Sequence, residues 1–275
     1  MNNEQLQLDG VIEMHVHGFP DIRERKMDAW ELIDAAVQAN MRGLVLKNHF
    51  YQTMSDAKIL QLKTSGLNIF GGLVLNESNG GLNPQAVEKA LLLDAKIIWF
   101  PTHDAFNERT FHGKIGGIMI LSEKDRPVQK VVYEILELIK ESNAVLATGH
   151  LSFDEIVRLI QAANEVGVQN KLINHPGIIF QKFSLEQQSE LVHMGAMLEH
   201  SYARPPHTPG WDDLAAAINN VGPDNVILAT DLGQPQNTDP VSGMREIWTE
   251  LLKRNFSKDE LKTMTCTNPA MMLGI

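Results

Sequence analysis

The sequence contains one cysteine, Cys266, among its 275 residues. A lone thiol cannot form an internal disulfide, so we expect a reducing, cytoplasmic location and a structural thiol. No apolar run approaches the roughly 18 residues that span a bilayer. The first ten residues, MNNEQLQLDG, show no basic region followed by an apolar stretch. Neither a membrane span nor a signal peptide is therefore expected.

Positive charge is also scarce. The chain has 24 lysines and arginines against 34 aspartates and glutamates, a formal net charge of −10. This balance argues against a nucleic-acid partner. Aromatic residues make up 6% of the chain and form no repeated surface stripe. We therefore expect a small-molecule substrate as the partner, and the composition leaves a homo-oligomer open.

Short apolar runs of strand length alternate with longer amphipathic stretches along the whole chain. We predict strands at 10–17, 44–50, 67–76, 95–102, 143–150, 171–175, 195–200 and 225–231. We predict helices at 27–40, 53–65, 84–93, 127–141, 153–166, 185–194, 211–220, 241–254 and 257–264. Asn83, Ser152 and Ser184 stand where the caps of three of these helices belong.

The strands are too apolar to have a solvated face, which predicts a parallel sheet covered on both sides. About eight strand–helix units in this length favour an α/β fold of the (β/α)8 TIM-barrel type, with residues 1–275 as a single domain. An open doubly wound sheet is the alternative. Its usual Gly-x-Gly-x-x-Gly loop does not follow the first strand.

Polar residues collect where the predicted strands end, which in a barrel is where active sites lie. Seven of the ten histidines fall at or just beyond a strand end. The strand-end residues are His15, His17, Lys47, His49, Asn76, Glu77, His103, Asp104, His150, His175, Glu199, His200 and Asp231. Random placement would have scattered histidines over the helices as well.

Imidazoles and carboxylates are the ligands of zinc and similar divalent metals. Five strand-end residues from four strands could converge on such an ion: His15, His17, His150, His175 and Asp231. A bound metal lowers the pKa of its water and polarises a substrate oxygen. Asp231 could then take the proton of that water and pass it to the leaving group.

The pattern of His-x-His on the first strand, His on the fifth and sixth, and Asp on the eighth resembles the amidohydrolase superfamily of metal-dependent barrel hydrolases. Stretches such as GLVLKNH, GGLVLN, VLATGHLS and ILATDLGQ also resemble an uncharacterised amidohydrolase-related family. The resemblance implies one or two metal ions, most simply zinc, hydrolysis as the reaction, and Asp231 as the proton shuttle.

The sequence departs from that superfamily at one place. Many members end the fourth strand with a carboxylated lysine or a glutamate that bridges two metals, whereas this chain reads PTHD. Lys47 ends the second strand instead and should face the same side as His49. It could be carboxylated, hold an anionic substrate as a cation, or pair with a carboxylate. Glu77 is a second substitute. A single metal is therefore as compatible with the sequence as two.

Further side chains are expected at the pocket. His49 and His200 should both face it, as substrate contacts or extra ligands, and alternation then turns Glu199 towards the helices. Lys47 and His200 are candidates to support catalysis. Arg25 and Arg204, like Arg23, lie in loops after strands and could grip a carboxylate or phosphate.

The segment 103–126 carries three glycines and could be a mobile lid. The sequence as a whole predicts a metal-dependent hydrolase of a small, anionic amide, lactone or ester. Three alternatives stay open: a phosphoesterase of the polymerase-and-histidinol-phosphatase type, a zinc-dependent non-oxidative decarboxylase, and a binding barrel without turnover. The first of these typically ends with Asp-x-His, where this chain reads Asp231-Leu232-Gly233.

Overall fold

The structure is a computed structural model that describes residues 6–122 and 127–275. Eight parallel strands form one sheet in chain order, as the alternation of the sequence predicts. Their bounds are β1 Ile12–Val16, β2 Gly43–Leu46, β3 Asn68–Val74, β4 Ile97–Trp99, β5 Val145–Ala147, β6 Lys171–Asn174, β7 Met197–His200 and β8 Val226–Leu228.

The sheet closes on itself where β1 meets β8. Val16 bridges to Leu232, and the His17 N–H donates to the Leu232 carbonyl at 2.9 Å. The buried carboxylate of Glu13 accepts from the N–H of His15 and the N–H of Thr230, each at 3.0 Å. The fold is therefore the predicted (β/α)8 barrel. The hydrogen bonds of Glu13 connect β1 to the segment that follows β8, where the barrel closes.

Helices surround the barrel. They are α1 Ala29–Gln38, α2 Met54–Gln61, α3 Pro84–Leu92, α4 Phe106–Phe111, α5 Lys130–Ser142, α6 Phe153–Val166, α7 Leu185–His193, α8 Trp211–Val221, α9 Pro240–Leu252, α10 Lys258–Lys262 and α11 Asn268–Leu273. The caps predicted at Asn83, Ser152 and Ser184 are confirmed, the last two as capping boxes. None of the described helices combines the length and apolar character that crossing a membrane requires.

Alternating strand residues fill the barrel or pack against the helices. Ile12, Val45, Trp99 and Ile227 belong to the inner cluster, which α11 joins at the end opposite the histidines. Their neighbours in sequence pack against the helices in two outer clusters. This alternation decides which strand-end side chains can reach the central pocket.

Two segments differ from the predicted elements. Residues 268–273 form α11 and the stretch 103–126 contains α4, and no helix was predicted in either place. Residues 123–126 lie outside the described part of the chain. Asn107 in α4 donates from its side-chain amide to the carbonyls of His150 and Phe180. The start of the expected lid is therefore hydrogen-bonded to the end of the barrel, and its movement as a lid stays a prediction.

Candidate metal centre and pocket

His15, His17 and Asp231 meet at the carboxyl ends of β1 and β8. One Asp231 oxygen, Oδ1, lies 3.2 Å from His15 Nε2 and 3.3 Å from His17 Nε2. A tetrahedral ion with bonds of about 2.0–2.1 Å separates its ligand atoms by about 3.3 Å. The three atoms therefore have the spacing of metal ligands, and the donor set of two imidazoles and one carboxylate suits zinc.

The local backbone explains how neighbouring positions reach one point. The pairing of β1 with β2 shifts register between Glu13 and Val16, the stretch that contains His15, and a shift of this kind changes the direction of the side chains beside it. Asp231 adopts a left-handed backbone, with φ of 52°, and its N–H donates to the His15 carbonyl at 2.9 Å. A non-glycine residue held there stores strain of a kind that concentrates at functional sites.

The electrostatics keep these groups in their metal-binding forms. Burial lowers the pKa of His17 from 6.5 to about 3 and, together with Lys47, lowers that of His15. Burial pushes the pKa of Asp231 upwards, but His15, His17 and Arg204 outweigh it and hold this pKa well below its usual range. Neutral imidazoles beside an ionised carboxylate are what a divalent ion requires.

Glu199 lies directly behind His15. Its Oε1 accepts from His15 Nδ1 at 2.7 Å and from the Asn174 side-chain amide at 3.1 Å. Burial raises the pKa of Glu199 from 4.5 to about 7. A carboxylate on the far nitrogen of a histidine fixes its tautomer and turns the other nitrogen towards the metal.

The orientations of Glu199 and His200 contradict the sequence prediction. His200 was expected to face the pocket and Glu199 the helices. Since Met197 packs against the inner cluster and Leu198 against an outer one, Glu199 points inward and His200 outward. His200 instead lines a small cavity with Thr208 and Leu214, and burial lowers its pKa from 6.5 to about 4. His200 is therefore removed from the candidate catalytic residues.

Lys47 and His49 both face the pocket, as predicted from their spacing. Lys47 Nζ lies 2.9 Å from His15 Nε2 and 5.4 Å from the centre of the Trp99 ring. Burial lowers the pKa of Lys47 from 10.5 to about 8. In the described part of the chain, Lys47 has no ion pair with a carboxylate within 4.0 Å. The position suits an amine that contacts the metal centre or the substrate.

The two remaining predicted ligands lie further along the pocket wall. The rings of His150 and His175 are 4.9 Å apart, and His175 is 5.9 Å from His15. His175 has a positive φ of 28°, and its buried Nδ1 has no hydrogen-bond partner among the described residues. A buried ring nitrogen without a hydrogen-bond partner at this place fits a metal ligand.

His150 belongs to a second group that the sequence did not reveal. Its Nδ1 contacts Glu108 of α4, and the same carboxylate contacts Nδ1 of His103 at 2.8 Å. Burial favours a higher pKa for Glu108, but His150 and His103 outweigh it and hold the pKa far below its usual range. His49 lies between the two groups, with its ring 4.9 Å from that of His17 and 4.0 Å from that of His103.

These groups line a cavity of about 300 Å³ at the mouth of the barrel. Arg25 reaches it but pairs with Asp21 at 2.6 Å, and Arg204 donates to the second Asp231 oxygen at 2.9 Å. Arg23 lies over the Phe50 ring and contacts His103 Nε2 at 3.1 Å. Arg25 and Arg204 were predicted to bind substrate, and the structure gives each an acidic partner.

Comparison with solved structures finds barrels of the same fold. An amidohydrolase from Pseudomonas aeruginosa superposes with a TM-score of 0.68 at 12% identity, covering 96% of this chain and 95% of the other. A beta-aspartyl dipeptidase from Fervidobacterium islandicum gives 0.66 at 14%, covering 96% and 75%. An organophosphorus hydrolase from Deinococcus radiodurans gives 0.62 at 14%, covering 96% and 92%. The resemblance to the amidohydrolase superfamily is thus confirmed as a likeness of fold.

Comparison with curated protein sequences finds no match. Residues 10–199 match one sequence family. They include β1 to β6, the first three residues of β7, and all the candidate site residues except His200, Arg204 and Asp231. The chain belongs to that family, the family of unknown function DUF6282.

Proposed function

We propose that this chain is a metal-dependent hydrolase whose centre is built on His15, His17 and Asp231. The observation that carries the proposal is the spacing of 3.2 and 3.3 Å between the Asp231 oxygen and the two imidazole nitrogens, inside a pocket. His175 and His150 complete the ligand set from β6 and β5. Zinc is the ion that this donor set suits best.

When bound, such an ion lowers the pKa of a water molecule and polarises the substrate carbonyl. The side chains of the chain do the rest. Asp231, ionised at neutral pH, would accept a proton from the attacking water and pass it to the leaving group. Arg204 keeps the second Asp231 oxygen fixed, and Glu199 holds His15 in one tautomer. Lys47 donates a hydrogen bond to the substrate oxygen that gains negative charge.

The proposed substrate is a small, anionic amide, lactone or ester. A cavity of about 300 Å³ holds only a small molecule, and Arg23, Arg25 and Lys47 in its lining offer positive charge to an anionic group. Among the structures that share the fold are a beta-aspartyl dipeptidase and an organophosphorus hydrolase. Their names agree with hydrolysis of a polar substrate on this scaffold.

A phosphoesterase is the second candidate, because His103, Glu108 and His150 form another group of metal-ligand type. A phosphoesterase of that kind would bind up to three ions. The hydrolase proposed here needs the ion at His15, His17 and Asp231. A decarboxylase would release carbon dioxide, and a binding barrel would show no turnover.

The test combines metal analysis with activity. Purified protein should contain metal, and a panel of small carboxylate-bearing esters, lactones and amides should show turnover that a chelator removes and zinc restores. Asp231→Asn should lower kcat by about 10²–10⁴. His193→Ala, a histidine change on the exposed end of α7, is the matched control. Unchanged turnover in the metal-free protein or in Asp231→Asn would refute the proposal.

A further inference from the structure

Glu108 is a buried carboxylate that touches two histidines from two different strand ends. It lies in α4, with a side chain only 8% exposed. Its Oε1 is 2.8 Å from His103 Nδ1, and its Oε2 contacts His150 Nδ1. All three residues line the same pocket as the candidate metal centre.

The chemistry of the three groups fixes the direction of these hydrogen bonds. An ionised carboxylate only accepts, so Nδ1 of His103 and Nδ1 of His150 must both carry the proton. In the neutral form of each ring, Nε2 is then the lone-pair nitrogen. Arg23 confirms this for His103, because its guanidinium, which can only donate, lies 3.1 Å from His103 Nε2.

The spacing distinguishes this group from a second metal site. Around Asp231 the ligand atoms are 3.2 and 3.3 Å apart, as on the edges of a tetrahedron of metal ligands. The His103–Glu108 contact is 2.8 Å, the length of a charge-assisted hydrogen bond. Glu199 makes a contact of the same kind to His15 Nδ1 at 2.7 Å. Glu108 therefore matches Glu199 in role and differs from Asp231.

We propose that Glu108 is a positioning residue shared by two histidines, which turns His150 Nε2 towards the metal centre and His103 Nε2 towards the substrate. The first half rests on the proposed function. The second makes His103, together with Arg23, a substrate contact on the wall of the pocket. The Glu108 carboxylate thus orients both a metal ligand, His150, and a substrate contact, His103.

The surroundings of Glu108 support a fixed role. Asn107, the preceding residue, ties α4 to the carbonyls of His150 and Phe180 at 3.2 and 3.1 Å. The Glu108 carbonyl accepts the His112 N–H at 3.1 Å at the end of the helix. The carboxylate is therefore held from its own helix and by both histidines at once.

The first experiment reads the tautomers directly. In metal-free protein with 15N-labelled histidine, NMR should show His103 and His150 in the Nδ1–H form. In Glu108→Gln the amide can accept from one imidazole but must donate to the other, so one of the two should change to the Nε2–H form. Glu141→Gln, on the exposed face of α5, is the control and should change neither. An Nε2–H form of either histidine in the wild type, or no change in Glu108→Gln, overturns the proposal.

The second experiment measures metal binding. Chelator competition should show that Glu108→Gln binds zinc about 10–100-fold more weakly than the wild type, with the same number of ions per chain. His103→Ala should keep both affinity and stoichiometry, because His103 is not a ligand. Loss of one ion in both variants would overturn the proposal in favour of a second metal site, and wild-type affinity in Glu108→Gln would also overturn it.

The two experiments separate the proposals. The tautomers are read without metal, so Nδ1–H forms that depend on Glu108 support the positioning role even if zinc does not bind at all. Failure of the protein to bind zinc would instead refute the hydrolase proposal. Thermal unfolding of each variant shows whether the barrel has folded before either measurement is interpreted.

Discussion

Replacing Glu199 by glutamine should make the metal-free protein more stable and its metal site weaker. Glu199 is fully buried, and burial raises its pKa from 4.5 to about 7. The folded chain therefore holds a proton that the unfolded chain releases between those values, and stability falls as the pH rises through this window. At about 1.4 kcal/mol per pKa unit, the buried charge costs about 3 kcal/mol above pH 7.

The assay is urea unfolding of the metal-free protein at pH 5 and pH 8. Between these two values the wild type should lose about 2.5 kcal/mol of unfolding free energy that Glu199→Gln keeps. Any pH-independent effect of the amide, such as an unpaired N–H, cancels in this difference. Glu190→Gln, on the exposed side of α7, should follow the wild type. Parallel pH curves for the wild type and Glu199→Gln would refute the reasoning.

The same variant should bind zinc about 10–100-fold more weakly at pH 8, because a neutral amide supports His15 less strongly than a carboxylate does. Chelator competition measures this affinity. A stabilised protein with a weakened site is the expected combination where a functional charge is buried. Wild-type zinc affinity in Glu199→Gln would show that the contact to His15 Nδ1 does not support the metal.

Three further predictions concern other residues. His200→Gln should remove about 2 kcal/mol of the stability loss between pH 7 and pH 5, because the pKa of this histidine is 6.5 in the unfolded chain and about 4 in the folded one. If the unfolding free energy measured in urea fell as much between these pH values in His200→Gln as in the wild type, the prediction would be wrong. Gly233→Ala should unfold more easily or lose zinc, since its φ is 139° and a Cβ would lie 2.0 Å from the His17 carbonyl oxygen. Gly167→Ala, at φ of 96° and ψ of 26° in open space, is the control and should cost only about 1 kcal/mol in a thermal melt. Lys47→Met should keep its zinc but lower kcat by about 10² or more, and wild-type turnover would exclude a role for the amine.

Much of this architecture could be predicted from the sequence because its signals are local. Apolar runs and capping residues marked the eight strands and most helices without any long-range information. The inward direction of Lys47 and His49 also followed from a regular strand, since β2 pairs in register with β3 from Gly43 to Leu46. The meeting of His15, His17 and Asp231 followed from the rule that barrel strands end at one face.

The parts that were missed depend on backbone detail or on tertiary contacts. Glu199 and His200 were assigned to the wrong faces because a strand of four residues gives no periodicity from which to fix its phase. His175 reaches the pocket through a positive φ that no pattern of residue types announces. Glu108 lies in a six-residue helix whose weak local signal resembles a loop, and its function comes from two histidines 5 and 42 residues away.

The central claim is that His15, His17 and Asp231 hold a metal ion, and a crystal structure of the purified protein with anomalous data at the zinc edge tests it most directly. The account predicts a peak about 2.0–2.2 Å from His15 Nε2, His17 Nε2 and Asp231 Oδ1. The account would be contradicted if a protein that turns over substrate held only water between these three ordered side chains. A peak elsewhere in the pocket would also contradict it.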